Sequence, residues 1–226
     1  MNSISTVEIG STSQGLSDNY SDKDHMTLFN LTPEQLVFQN NKMHSAADAN
    51  DGQHRYYTPQ FFYKMITQKG LDGLIILSAQ LNQASQTDFN KVALKSFDDE
   101  KFVRRYMLSI NKNVVMSLNG LFYNNYKKYL KSQEINGKML VNIASAMSRL
   151  KYFYELDCLK GDYNIYSIIV DSTRYDGYVE KFMPYKRETN QNKLNDVVKD
   201  ITGKNVDEFL RDANNETHKI INEAKS

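Results

Sequence analysis

Residues 98–160 read DDEKFVRRYMLSINKNVVMSLNGLFYNNYKKYLKSQEINGKMLVNIASAMSRLKYFYELDCLK, and the periodicity of that stretch decides the fold. Asp98, Asp99 and Glu100 stand directly before a basic, apolar-periodic run. Acidic residues at that place cap free backbone N–H groups and suit the positive end of a helix dipole. Phe102, Val103, Tyr106, Met107 and Ile110 then recur at three- and four-residue spacing, the mark of one helix face. The pattern continues through Val114, Val115, Leu118, Leu121, Phe122, Tyr129 and Leu130. Asn111, Asn113 and Gly120 weaken it, so one long helix and two helices in line both fit. Asn136-Gly137 punctuates the run. Leu140, Val141, Ala144, Met147, Leu150, Lys151 and Tyr154 predict a second helix ending near Gly161. Two such helices joined by a short turn predict an antiparallel core.

Charge is unevenly spread. The chain as a whole carries a formal +1. Residues 101–160 hold 11 Lys and Arg against 3 Asp and Glu, whereas residues 1–57 hold 3 against 7. A basic centre beside an acidic flank predicts pairing with an acidic protein surface, a second copy included.

With 226 residues the chain is long enough for one substantial core and an appendage. No window approaches the roughly 18 apolar residues of a membrane helix. The first residues, MNSISTVE, lack a basic and then an apolar region, so no Sec signal is expected. A single cysteine, Cys158, excludes an internal disulfide framework. Three prolines and no tryptophan favour helices over a loop-rich β fold.

Outward from the centre, residues 1–57 read as an extended polar, acidic arm with one short helix. Its apolar beads are sparse (Ile4, Val7, Ile9, Leu16), too few to offset the entropy of ordering. Thr32-Pro33-Glu34-Gln35 supplies a capping box for the short helix, to about Met43, and residues 44–57 read as loop. Residues 58–160 form the helical core. Thr58-Pro59 starts a short helix, Leu74 to Ala84 contribute another, and Thr87 caps a third. Residues 161–189 predict a β-hairpin and linker: the β-branched, aromatic run 163–170, an Asp176-Gly177 turn, and a return strand 178–183 stopped by Pro184. Residues 190–226 predict two C-terminal helices. Leu194, Val197, Val198 and Ile201 form one, ended by Gly203. Asn205 caps the other, with Glu208 at its third position. The fold class is therefore mainly α: an antiparallel helical bundle core with one β-hairpin and an extended N-terminal arm.

Chemistry leaves little trace. His25, His44, His54 and His218 fall in no zinc-binding spacing. Cys158 has no neighbouring base in sequence. The paired carboxylates Asp98-Asp99-Glu100 and Asp196/Asp200 read as capping and solvated faces. Nucleophile-elbow, Walker and dinucleotide-binding motifs do not occur. No catalytic, cofactor-binding or metal-binding residue is expected, and no cofactor. One constellation stands out: Phe122 to Lys131 with Arg149 to Tyr154, where lysines and aromatics alternate. Such a surface can meet phosphates and bases, or an acidic protein.

These observations predict a non-enzymatic structural or assembly protein. A virion or phage connector or tail subunit, forming oligomeric rings or complexes through its arms, fits them best. Its partners would be copies of itself and other assembly proteins, with weak nucleic-acid contact through residues 101–160 and no membrane span. Its place would be the virion, or else the cytoplasm or a non-Sec secretion route. The alternative is a secreted bacterial effector that binds a host protein, its N-terminal thirty residues being an unstructured export signal.

Overall fold

The computed structural model describes residues 2–12, 14–30, 46–49, 52–58, 61–62, 64–65, 71–73, 75–76, 79, 100–155 and 177–223. The chain divides into two compact units, Met1–Val114 with Asn164–Thr173, and Val115–Tyr163 with Arg174–Ser226.

The first unit holds a sheet where the sequence predicted an arm and a loop. Its strands are β1 (Asn2–Ile9), β2 (Asp24–Asn30), β3 (Ala46–Ala49) and β4 (Gly52–Tyr57), in the order β1-β2-β4-β3. β1 and β2 are antiparallel, with a register irregularity between Ser3 and Ser5. β2 and β4 are parallel, and β3 and β4 antiparallel. The expectation of an unfolded arm fails for a physical reason. Val7 and Ile9 alternate with polar residues, as do Met26 and Leu28, and all four are buried. The two-residue period of a strand face lives in these short windows and vanishes when composition is averaged over thirty residues. Gly10, at φ 72°, turns the chain after β1 in a conformation that costs glycine nothing. Val7, Met26, Leu28 and Tyr57 are buried on one side; on the other, Thr6 and Glu8 of β1 emerge while Thr27 and Phe29 of β2 are buried as well. Thr58 caps a helical turn as expected, its Oγ1 accepting from the Phe61 N–H at 3.2 Å. Leu71–Gly73, Ile75, Ile76 and Ala79 are helical. The helix expected after Thr32, the one after Thr87 and the strand expected at 163–170 lie outside the described residues.

Helices supply most of the described residues, as the sequence predicted. α1 (Glu100–Ser132) is one continuous helix, which settles the choice left open at Asn111–Asn113 and Gly120. It ends at Gln133, whose φ of 55° breaks the ladder. α2 (Gly137–Glu155) starts where Asn136-Gly137 predicted. The Asn136 carboxamide accepts from the Met139 N–H at 2.9 Å and caps it.

The predicted return strand at 178–183 is overturned. Gly177–Phe182 is helix α3, continued by a single 3-10 turn, Met183–Tyr185. Val179 and Phe182 lie three apart and are both buried, so helical spacing, not alternation, satisfies their apolar side chains. Tyr178 and Phe182 both meet Phe209 edge-on, at 6.2 and 5.8 Å between ring centres. The hairpin therefore has no return strand.

α4 (Gln191–Thr202) and α5 (Val206–Glu223) close the second unit, with Gly203 and the Asn205–Glu208 pair where the sequence placed them and Asn190 a cap that it did not. Asn190 caps α4 through the Lys193 N–H, and Gly203 ends it at φ 72°. At α5, Glu208 N–H donates to Asn205 Oδ1 and Asn205 N–H donates to Glu208 Oε2, a reciprocal capping box. Packing among the described residues runs from α2 to α3 and α5, and from α4 to α3 and α5. An antiparallel bundle centred on α1 and α2 is not confirmed. Each fully buried Leu, Val or Phe of this core contributes about 1.5–3 kcal/mol.

Candidate protein-binding face

From Val115 onward α1 has two dissimilar sides. Val115, Leu118, Phe122, Asn125 and Tyr129 are buried at helical spacing. Asn125, the polar member, satisfies its carboxamide within the helix, Nδ2 donating to the Leu121 carbonyl at 2.7 Å. Nearly opposite, Met116, Tyr123 and Leu130 are 47%, 49% and 51% exposed. Their seven-residue spacing keeps them in one stripe, because seven residues fall only about 20° short of two full turns. The stripe runs about 21 Å along the axis at 1.5 Å per residue. Lys127 is exposed beside it, Lys131 is exposed at its flank and Lys128 farther round the helix, and residues 114–132 contain no acidic side chain.

Gly120 lies on the same side, four residues after Met116 and three before Tyr123. A methyl group placed there would meet nothing within 4 Å. Glycine inside a helix costs about 1 kcal/mol relative to alanine, and no packing among the described residues requires it here.

This resolves the basic-aromatic constellation of the sequence. Phe122 and Tyr129 belong to the core, and Tyr126 is half-buried with its ring 5.7 Å from that of Phe122. Arg149 is buried, and Lys151 pairs with Glu216 at 3.0 Å. Leu130, expected on the core face with Phe122, faces outward instead. The surface that remains is smaller than the sequence suggested: three apolar side chains and three lysines on one helix.

At the end of α1 a cleft of about 410 Å³ is lined by α1, α4 and the start of α5. Tyr129, Asp207 and Gln191 of its lining hold these elements together. Tyr129 donates its hydroxyl to Asp207 Oδ1 at 2.6 Å. Burial first, then this bond and the carboxylate charge, push the phenol up to about 12. Gln191 accepts from the Ile135 N–H at 2.9 Å and returns a bond from Nε2 to the Ile135 carbonyl at 2.7 Å.

In the first unit, the sheet brings together two of the scattered histidines. His25 and His54 are register partners on β2 and β4, 5.8 Å apart between ring centres. Thr27 Oγ1 lies 2.8 Å from both Thr6 Oγ1 and His54 Nε2, so one hydrogen-bonded row crosses β1, β2 and β4. His54 stacks on Tyr56 at 4.5 Å. Sequence reasoning missed this row because its members are 21 and 27 residues apart. The alternation in 24–30 and 52–57 was the signal available. Among the described residues no group of three His, Cys, Asp or Glu is placed to hold a metal. His218, Asp196 and Asp200 are exposed on helices, while His44, Asp98, Asp99 and Cys158 lie outside the described residues. No described helix is long and apolar enough to cross a membrane.

No protein-family model, curated protein or solved structure matches this chain.

Proposed function

We propose that this chain is a non-enzymatic structural or assembly protein that works by presenting the outer face of α1 to another protein. The observation that carries this reading is the stripe of Met116, Tyr123 and Leu130. Large apolar side chains repeated at one azimuth of a helix lose free energy to water until something covers them, and helix-in-groove or helix-on-helix contacts are the usual cover. A virion or phage connector-type subunit, associating with its own copies and with other assembly proteins, is the narrower form of the proposal. Ring closure through N-terminal arms is no part of it, since Asn2–Ile9 and Asp24–Asn30 are paired strands. The secreted-effector alternative loses the feature that motivated it for the same reason.

The test is site-specific photocrosslinking. A benzophenone amino acid replaces Tyr123 in the full chain, expressed in its source cells, with a second variant carrying it at exposed Lys199 of α4. The proposal expects one discrete protein adduct from position 123 and none of that mass from position 199. Equal, diffuse adducts at both positions would show that the α1 face is ordinary surface.

A further inference from the structure

We infer that the occupant of the α1 face is an acidic amphipathic helix of another protein, packed along the stripe in the manner of a coiled coil. The inference rests on the proposal above and names the chemistry of the partner. Three features of the face select it.

The first is the repeat. Met116, Tyr123 and Leu130 recur every seven residues, with Gly120 and Lys127 following Met116 and Tyr123 at a spacing of four. That is the seam a second helix fits when the two supercoil, each apolar side chain filling a gap between its neighbours opposite. An extended strand, whose same-face side chains step by about 6.6 Å, does not match the step of about 10.5 Å between these three.

The second is charge. Lys127 and Lys131 are exposed at the seam and its flank, and 114–132 holds no carboxylate of its own. Another copy of the same α1 would set these lysines against each other. Glutamates flanking the seam of the partner would meet them as interhelical ion pairs.

The third is Gly120. The open space above its Cα, within a helix that gains nothing internally from a glycine, lets a partner side chain or backbone come close at the middle of the seam.

The experiment uses the full chain and two synthetic peptides of about three heptads, with Leu and Ile at the seam positions. One carries Glu at the flanking positions and the other Lys, so that neither pairs well with itself. Fluorescence anisotropy should show the Glu peptide binding about tenfold more tightly than the Lys peptide at low salt, a gap that attraction at Lys127 and Lys131 in one case and repulsion in the other can open. Reversing Lys127→Glu and Lys131→Glu together should reverse the preference. Gly120→Leu and Leu130→Ser should each weaken the Glu peptide about tenfold, and circular dichroism should report helicity equal to the wild type for both. Equal binding of the two peptides, or a preference that survives the charge reversal, overturns the inference. So does a single-stranded oligonucleotide that competes the Glu peptide away stoichiometrically, or self-association in sedimentation equilibrium that Leu130→Ser abolishes. Any of these outcomes leaves the photocrosslink at position 123 to decide separately whether the face binds protein at all.

Discussion

Tyr129 ties α1 to the start of α5, and its titration offers a direct measure of how well that joint is built. The phenol is buried, donates to Asp207 Oδ1 at 2.6 Å, and is held at about 12 against an ordinary value of 10.0. The folded state thus keeps its proton longer than the unfolded chain does. Stability from this group is whole below pH 10 and is lost as the pH rises from 10 through 12. A phenol that ionises near 12 in the folded chain and near 10 in the unfolded one contributes about 2.7 kcal/mol at the limit. The same linkage gives a loss of about 1.4 kcal/mol by pH 11. Tyr129→Phe removes the titration but keeps the ring in place. Urea unfolding of wild type and Tyr129→Phe, followed by circular dichroism at pH 8, 9, 10 and 11, isolates the effect. The other tyrosines and the lysines titrate alike in both proteins and cancel in the difference. At pH 8 the wild type should be the more stable by about 1–2 kcal/mol, the worth of a hydrogen bond to a charged acceptor. By pH 11 that advantage should have shrunk by about 1.4 kcal/mol. Parallel stability profiles across this range would refute the account, because they would mean that the phenol ionises as readily in the folded chain as in the unfolded one.

Gly137→Ala should destabilise the second unit by about 2–4 kcal/mol in the same assay, since the new methyl would overlap the Tyr185 carbonyl and Lys186 backbone. Ser145→Ala should stabilise it by about 1 kcal/mol. The Ser145 hydroxyl is buried without a hydrogen-bond partner among the described residues, and alanine is the better helix former. A loss of stability would instead reveal a bonded hydroxyl. Glu188 should titrate near 2 by carboxyl-detected NMR, held down first by the Lys193 ammonium at 2.6 Å and then by the Asn190 and Thr189 N–H groups. Its contribution is present above 4.5 and is lost as the pH falls from 4.5 through 2, and Lys193→Ala should move the midpoint back toward 4.5.

What was legible in the sequence was whatever its local chemistry determined. Asn136-Gly137, Gly203 and the Asn205–Glu208 box each act within four residues, and each sits where it was read. The helical period of 101–132 likewise survived five asparagines and a glycine, because Leu118, Phe122 and Tyr129 bury one continuous face. The sheet was illegible for the opposite reason. Met26 pairs with both Val7 and Arg55, partners far off in sequence, so no single window shows that its apolar face has a cover. The return strand was misread because β-branched and aromatic residues carry strand propensity in themselves. Val179 and Phe182 took the helical alternative once Phe209 stood ready to receive the ring of Phe182. The α1 face was half legible. Its lysines were plain, but Leu130 was indistinguishable from a core leucine until the buried side of the helix was known.

That half-legibility bears on function. A helix optimised only for its own fold would place polar residues at 116, 123 and 130, where about half of each side chain is exposed, and a better helix former than glycine at 120. This one places Met, Gly, Tyr and Leu there and sets lysines alongside. Each choice is unfavourable for the isolated chain: exposed apolar area works against solubility, and the glycine weakens the helix. No carboxylate within 114–132 offsets the lysines, while the chain as a whole is nearly neutral. Unfavourable choices of three different kinds, gathered on one face of one helix, share a single remedy: a partner that is apolar along its seam, negative along its flanks and able to come close at Gly120.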